Sequence, residues 1–233
     1  MDLNAIIAPL AALKPAEGPF VIGLTGSVAA GKSTLAGALA ERMARDGART
    51  AVVGSDGFLH PNARLEAMGL LAQKGAPSTY DHAAMAAALR AIRQGAADFP
   101  TYSHVIYDID PALTRRLEAP DVLILEGLAL RDPQTGPPEL LDALIYLEAD
   151  EVDLERWYVA RFLELWEAAE HDPTSFYARF RHMDREATDA LARTVWREVN
   201  LKNLHEHIIH ARARADLIVA KSGDHTIASV VRA

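Results

Sequence analysis

The chain has 233 residues and a formal net charge of −8; half the residues are hydrophobic, 24% are charged, and none is cysteine. That length suits one α/β domain whose core needs no cross-links, and the missing thiols exclude disulfides, Cys-ligated metals and Cys nucleophiles. The acidic balance argues against broad binding to nucleic acid or an anionic membrane surface, but leaves open nucleotide binding, which needs only local cations and backbone donors.

In chain order, residues 1–14 lack the basic start and small-residue cleavage site of a signal peptide. They read as a short amphipathic helix. Residues 20–25 form an apolar run that ends in a glycine-rich turn, the pattern of a buried parallel strand. Residues 33–46 have helical spacing through Leu35, Leu39 and Met43 and stop at Gly47. A second strand over 50–53 leaves Asp56 just past its end, and 81–94 is alanine-rich and helical. Residues 102–109 read as a strand or hairpin arm, and 122–125, 143–147 and 217–220 as further strands, the last closing the series. Between them, 151–212 is mainly helical with a break near His171-Asp-Pro173, and 133–138 is the candidate surface loop. Strands alternating with helices predict an α/β P-loop three-layer sandwich with a mainly parallel sheet. Residues 1–233 are expected to form a single domain, with a helical lid at about 150–200. No apolar run nears the roughly 20 residues that span a bilayer, and the lack of cysteine fits a cytoplasmic location.

Gly26-Ser27-Val28-Ala29-Ala30-Gly31-Lys32-Ser33-Thr34 carries the full G-x-x-x-x-G-K-S pattern between that strand and that helix. The glycines let the backbone curl so that N–H groups point at phosphate oxygens, and the helix adds its positive amino end. Lys32 reaches the β and γ phosphates, and the Ser33 hydroxyl ligates Mg²⁺. Gly26, Ser27, Ala29, Ala30, Gly31, Lys32, Ser33 and Thr34 are therefore the expected nucleotide site. Asp121-Val-Leu-Ile-Leu-Glu126 is an apolar strand ending in a carboxylate, which makes Glu126 the second metal candidate. A guanine-reading Asn-Lys-x-Asp is missing near residues 220–224, which leaves small-molecule kinases that use ATP.

A kinase must take a proton from its acceptor hydroxyl, and Asp56, past the strand expected beside the phosphate loop, is either that base or an ordinary Asp-Gly turn. Tyr102 and His104 lie two apart, either a binding face or a polar sheet face. Tyr158 and Arg161 share a helix face and could equally be core packing and a surface cation. Asn200 and His225 carry little signal alone. Arg156, Arg179, Arg181, Arg185 and Arg193 read mostly as a solvated face that could include one lid arginine.

The segments Asp56-Gly-Phe-Leu-His-Pro-Asn62, Lys74-Gly75 with Tyr80-Asp81, Tyr102-Ser-His-x-Ile-Tyr-Asp108, Leu123-Ile-Leu-Glu-Gly-Leu128, Trp157-Tyr-x-x-Arg-Phe-Leu163, Trp196-x-Glu-x-Asn200 and Lys221-Ser-x-x-His225 occur in that order. With the phosphate loop they closely resemble the bacterial type I pantothenate kinases, within the uridine kinase/phosphoribulokinase-like superfamily. The resemblance runs from about residue 20 to the end. It implies phosphorylation of the primary hydroxyl of pantothenate by Mg-ATP, the entry step to coenzyme A. It implies Asp56 as base, Lys32 as phosphate ligand, and Arg161 steadying the transferring phosphoryl group. Tyr102, His104, Tyr158, Arg161 and Asn200 would line the acceptor pocket, and His225 would lie beside the adenine.

Departures from the family pattern are Ala129 for an Asn, Gly37 for a basic residue tied to coenzyme A feedback, and Ile209-His-Ala-Arg212 for Leu-Pro-Thr-Arg. About 19 residues precede the first strand, where the family carries a larger helical segment. Feedback inhibition, acceptor selectivity and the subunit contact are therefore open, a homodimer included. The alternatives are a kinase of another small hydroxyl compound, such as a nucleoside or sugar, and a nucleotide-binding regulatory protein. The expected partner in every case is a small molecule, with neither nucleic acid nor membrane.

Overall fold

The computed structural model describes residues 3–128, 130 and 140–232. The candidate loop at 133–138 and Ala129 lie outside the described residues.

A six-stranded sheet runs in the order β2-β5-β1-β6-β7-β8, built from β1 (Phe20–Gly26), β2 (Thr50–Gly54), β5 (Val122–Gly127), β6 (Ala143–Glu148), β7 (Leu217–Lys221) and β8 (Ile227–Arg232). All pairings are parallel except β7–β8. Every residue of β1 is buried, as a central strand covered on both faces requires. Ile22, Leu24, Leu123, Ile124 and Leu125 are almost wholly excluded from solvent. Each such side chain contributes on the order of 1.5–3 kcal/mol by leaving water, before the entropy of ordering is charged against it.

The sheet differs from the sequence expectation in three ways. Leu217–Lys221 is not the last strand: β8 pairs antiparallel to it at the sheet edge, with four of its six residues exposed and none buried. Residues 102–109 are not one arm but the turn of a hairpin between β3 (Ala96–Ser103) and β4 (Asp108–Glu118), a separate two-stranded sheet. And β2 does not adjoin the phosphate-loop strand, because β5 lies between them. Glu126, which ends β5, is consequently flanked in register by Gly54 of β2 and Leu24 of β1.

The amino-terminal helix α1 (Asn4–Leu10) buries Ile6 and Leu10 and packs near β7 and β8. Helix α2 (Lys32–Arg45) buries Leu35, Leu39 and Met43, the stripe its spacing predicts. Helix α3 (Asn62–Ala67) is short. Helix α4 (His82–Arg93) is capped by Asp81, whose side chain accepts from the Ala84 N–H.

Beyond the sheet, α5 (Glu151–Ala168) packs on α6 (Arg185–Val195) around a small second core of Val159, Phe162, Leu163, Trp166 and Ala192. A π-helical turn over Trp196–Leu201 follows α6 and leads into α7 (Lys202–Glu206). The arginines of this region are mostly tied down: Arg156 to Asp153, Arg181 to Glu170, Arg185 to Glu167, and Arg193 to Asp189 and Glu155. Arg179 lies over the Phe176 ring. No described helix is long and apolar enough to cross a membrane.

Candidate active site

The carboxyl ends of β1, β2 and β5 bring the phosphate loop, Asp56 and Glu126 to one edge of the sheet, where open parallel sheets bind ligands. The loop leaves β1 at Gly26, whose φ is +149°; a side chain there would run into the Leu147 carbonyl of β6. Lys32 opens α2, and its ammonium donates to the Ser27 carbonyl at 2.8 Å. Burial lowers the Lys32 pKa, while Glu126 and Asp56 oppose that shift. The half-buried ammonium thus lies near two carboxylates on the wall of the cleft described next. The Ser33 hydroxyl donates to Glu126 Oε1 at 2.8 Å.

This edge opens into a cleft of about 700 Å³ lined by Gly31, Lys32, Ser33, Thr34 and Glu126, with Trp157, Lys221 and His225 among its other walls. His225 stacks on Trp157 with ring centroids 4.0 Å apart, and the Lys221 ammonium sits 5.0 Å from the Trp157 ring centre. Burial and Lys221 push the His225 pKa down, which keeps a neutral ring in the cleft.

A second cavity, of about 160 Å³, lies beside the first. Tyr102, His104, Tyr158, Arg161 and Asn200 line it together with Lys74, Tyr107 and Tyr177. They arrive from separate elements. Tyr102 is on β3, while His104 and Tyr107 are in the hairpin turn, so the Tyr102–His104 pair does not share a strand face. The two rings still meet edge-on at 5.1 Å, because the turn folds back. Tyr158 and Arg161 come from α5, and Asn200 from the π-helical turn, where its side-chain amide donates to the Val195 carbonyl at 3.4 Å. Such turns insert a residue into a helix and re-aim its neighbours, often at functional sites.

Asp56, His104 and Arg161 belong to both cavities. They form the wall where a phosphoryl group leaving one cavity would enter the other. Burial and the Arg161 charge lower the His104 pKa, so the ring is neutral at neutral pH. Asp56 sits in a 3-10 turn over Ser55–Phe58, and its neighbour Gly57 leaves no room for a Cβ against the Pro100 carbonyl of β3. That close approach locks the hairpin onto the turn bearing Asp56. The Asp-Gly pair is therefore both a turn and a wall of the site.

Backbone strain concentrates here. Among the described residues, the non-glycine positions with positive φ are Ala29 at 64°, Tyr107 at 57° and His225 at 68°. All three line the cavities. Each costs on the order of 1–2 kcal/mol relative to ordinary backbone, a cost that persists where the surroundings demand the geometry.

A model of the phosphoribulokinase/uridine kinase family matches residues 21–158, more than half the chain. The chain belongs to this family. Curated pantothenate kinases are similar over most of its length: that of Brucella ovis is 41% identical over 225 residues, covering 91% of this chain and 70% of that protein. The Rhizobium rhizogenes enzyme is 40% identical over 228 residues, covering 92% and 69%. Among solved structures, a candidate fructose transport system kinase from Silicibacter sp. TM1040 superposes with a TM-score of 0.75 at 27% identity, covering 94% of this chain and 98% of that one. Phosphoribulokinase from Rhodobacter spheroides shares the fold with a TM-score of 0.56 at 16% identity, covering 88% and 71%. As a phosphoribulokinase/uridine kinase family member, the chain is an ATP-dependent phosphotransferase with an alcohol acceptor.

Lys74, Tyr107, Tyr177, Trp157 and Lys221 also line these two cavities, though no local sequence signal assigns them a role. Lys74 is the most consequential. It is half-buried, donates to the Tyr107 carbonyl at 2.7 Å and to the Asn62 side chain, and lies 4.7 Å from the ring centres of both Tyr102 and Tyr107. Burial lowers its pKa, opposed by Asp108 and Asp56. Lys74 and Tyr107 stand inside the quoted segments, so their signal was the family resemblance. Tyr177 had none: its ring is held by Phe162 and Phe176, contacts that no short spacing reveals.

Proposed function

We propose that this kinase transfers the γ-phosphoryl group of Mg-ATP to the primary hydroxyl of pantothenate, forming 4′-phosphopantothenate. One observation carries the reading: Asp56, His104 and Arg161 line both the phosphate cleft and the aromatic cavity. A nucleotide in the first and an alcohol in the second would meet at a carboxylate and a guanidinium.

The residues of the cleft suit a nucleoside triphosphate. Backbone N–H groups of the phosphate loop and the start of α2 would meet anionic oxygens, Lys32 brings a half-buried cation, and His225 on Trp157 offers a flat surface for a base. Ser33 and Glu126 are the two protein groups placed to hold Mg²⁺. The Ser33 hydroxyl donates to Glu126 Oε1 at 2.8 Å, so these two oxygens would lie together beside an ion held otherwise by phosphate oxygens and water. When bound, Mg²⁺ neutralises charge on the β and γ phosphates.

The chain's own part follows. Asp56 accepts the proton of the acceptor hydroxyl as its oxygen forms the new O–P bond and the bond between the γ phosphorus and the bridging oxygen of ADP breaks. Arg161 and Lys32 hold the charge that spreads over the phosphoryl oxygens. In the cavity, neutral His104, the tyrosine hydroxyls and Asn200 offer hydrogen bonds to an amide and hydroxyls. Lys74 offers a cation to a carboxylate. Pantothenate carries all of these groups, and the relatives at 40–41% identity are named for it.

A second reading has one observation behind it. A solved structure that superposes over 94% of this chain and 98% of its own, at 27% identity, is a candidate fructose transport system kinase, so a sugar is a competing acceptor. An acceptor panel in an ADP-release assay separates the two, using pantothenate, fructose, uridine and D-glycerate. Pantothenate should be preferred by at least ~100-fold in kcat/KM, roughly two missing hydrogen bonds to a polar pocket. Equal or better turnover of fructose would replace the pantothenate assignment while leaving the phosphotransfer reading intact.

A further inference from the structure

Tyr80 touches the proposed base yet lines neither of the two cavities where the substrates would sit. Its hydroxyl donates to Asp56 Oδ1 at 2.8 Å. We infer that Tyr80 is a positioning residue for the reaction: it occupies one oxygen of the Asp56 carboxylate so that the other is presented to the acceptor hydroxyl. The inference rests on the reading of Asp56 as base.

The local fold holds Tyr80 rigidly in this place. Residues 58–60 and 79–81 run antiparallel, with the Asp81 N–H donating to the Phe58 carbonyl at 2.7 Å and the His60 N–H to the Thr79 carbonyl at 2.9 Å. Leu59 and Tyr80 form the bridge between them. Asp56 and the phenol are thus fastened on the two sides of one short ladder, starting from the 3-10 turn that bears Asp56. The Tyr80 ring is 7% exposed and stacks on His82 at 6.0 Å. Burial, reinforced by the neighbouring Asp56 charge, raises the phenol pKa well above its ordinary value, so the proton stays on Tyr80 and is available to the Asp56 carboxylate.

A carboxylate at the end of a two-torsion side chain can rotate its oxygens away from a substrate. Fixing it removes that freedom before the substrate arrives, which is what pre-organisation means for proton transfer. The bond also draws on the carboxylate and lowers its basicity slightly. Orientation should dominate, because misplacing a catalytic group by about 1 Å can cost on the order of 100-fold.

The test is a double-mutant cycle with Tyr80→Phe and Asp56→Asn, read by radiolabelled phosphoryl transfer to the acceptor that the panel selects. Tyr80→Phe keeps the ring and its packing. It should lower kcat about 10- to 100-fold while the KM for ATP and the calorimetric affinity for the acceptor stay within about twofold. Because Tyr80 acts through Asp56, the double variant should be no slower than Asp56→Asn alone, within about twofold. A wild-type kcat in Tyr80→Phe overturns the inference, as does a double variant in which the two losses multiply. If Tyr80→Phe is too unstable to assay, Tyr80→Leu and Tyr80→His, compared at matched folded fraction by circular dichroism, must both show the kcat loss, and normal kcat in either overturns it. Should Asp56→Asn itself turn over normally, the base assignment fails and the inference falls with it, an outcome distinct from a Tyr80 failure alone.

Discussion

One stretch of chain, Gly26 to Thr34, gives Val28, Ala29, Gly31, Lys32, Ser33 and Thr34 to the wall of the larger cleft, while Gly26, Ser27 and Ala30 are buried behind it. The acceptor cavity, in contrast, collects single side chains from the β3–β4 hairpin, α5, the turn over Trp196–Leu201 and the segment around Phe176–Phe180. The first is made largely of backbone and one strand-to-helix junction, so it tolerates change elsewhere in the chain. The second is made of aromatic rings and two cations brought together only by tertiary folding. A family can therefore keep phosphotransfer constant and vary its acceptor by altering the second region alone. The cavity has its own small core behind it, around Phe162 and Trp166, which is the physical basis for such independence.

Substitutions on either side of the shared wall should separate the two regions. The largest effect belongs to Lys32→Ala, which removes the half-buried cation of the cleft. It should cost at least ~1,000-fold in kcat/KM, about 4 kcal/mol of transition-state stabilisation. Acceptor binding by calorimetry should persist, and its loss would mean that the regions are not independent. Next is Lys74→Met, which should raise the KM for pantothenate roughly 30-fold, the worth of one charge-assisted bond of about 2 kcal/mol. The KM for ATP should stay within about twofold, and an uncharged acceptor should scarcely notice the change. Phe176→Ala removes the ring stacked on Tyr107 at 4.1 Å. A several-fold rise in acceptor KM is expected, on the order of 1 kcal/mol, with little change in ATP affinity.

The pH dependence is the gentlest probe. His104 has its pKa lowered from 6.5, so its charge changes little between pH 7.5 and 8.5, and acceptor KM should be nearly flat there. Lys32 and Lys74 have theirs lowered from 10.5 by burial. Each loses its charge as pH rises through its lowered value, so both KM values should climb on the alkaline side at pH values below 10.5. Stability of the ligand-free protein runs the other way. In the window between the lowered values and 10.5 the unfolded chain binds more protons, so these two lysines favour folding increasingly as pH rises. Titration of KM and of chemical stability in parallel checks both signs.

The same contrast explains what could be read in the sequence. Contiguous chemistry is legible: the loop at Gly26 to Thr34, Glu126 at a strand end and the helical stripe of Leu35, Leu39 and Met43 each need only neighbours along the chain. The β3–β4 hairpin was harder, because its second strand is largely exposed and carries no clean apolar alternation. Strand β8 was hidden for the same reason. The pattern puts Asp56 just past the strand over 50–53, as the structure has it, but strand order is set by crossovers that no local pattern encodes, and β5 lies between that strand and the phosphate-loop strand. Lys74 and Tyr107 reach the cavity by folding alone, so only family resemblance could have pointed to them, and Tyr177 lay outside even that.

The most direct measurement is a crystal structure of the ternary complex with a non-hydrolysable ATP analogue, Mg²⁺ and pantothenate. The account predicts the triphosphate along Lys32 and Ser33, pantothenate among Tyr102, His104, Tyr158 and Asn200, and its primary hydroxyl within about 2.6–3.2 Å of an Asp56 oxygen. Pantothenate bound with that hydroxyl turned away from Asp56, or excluded from the cavity at saturating concentration, would contradict it.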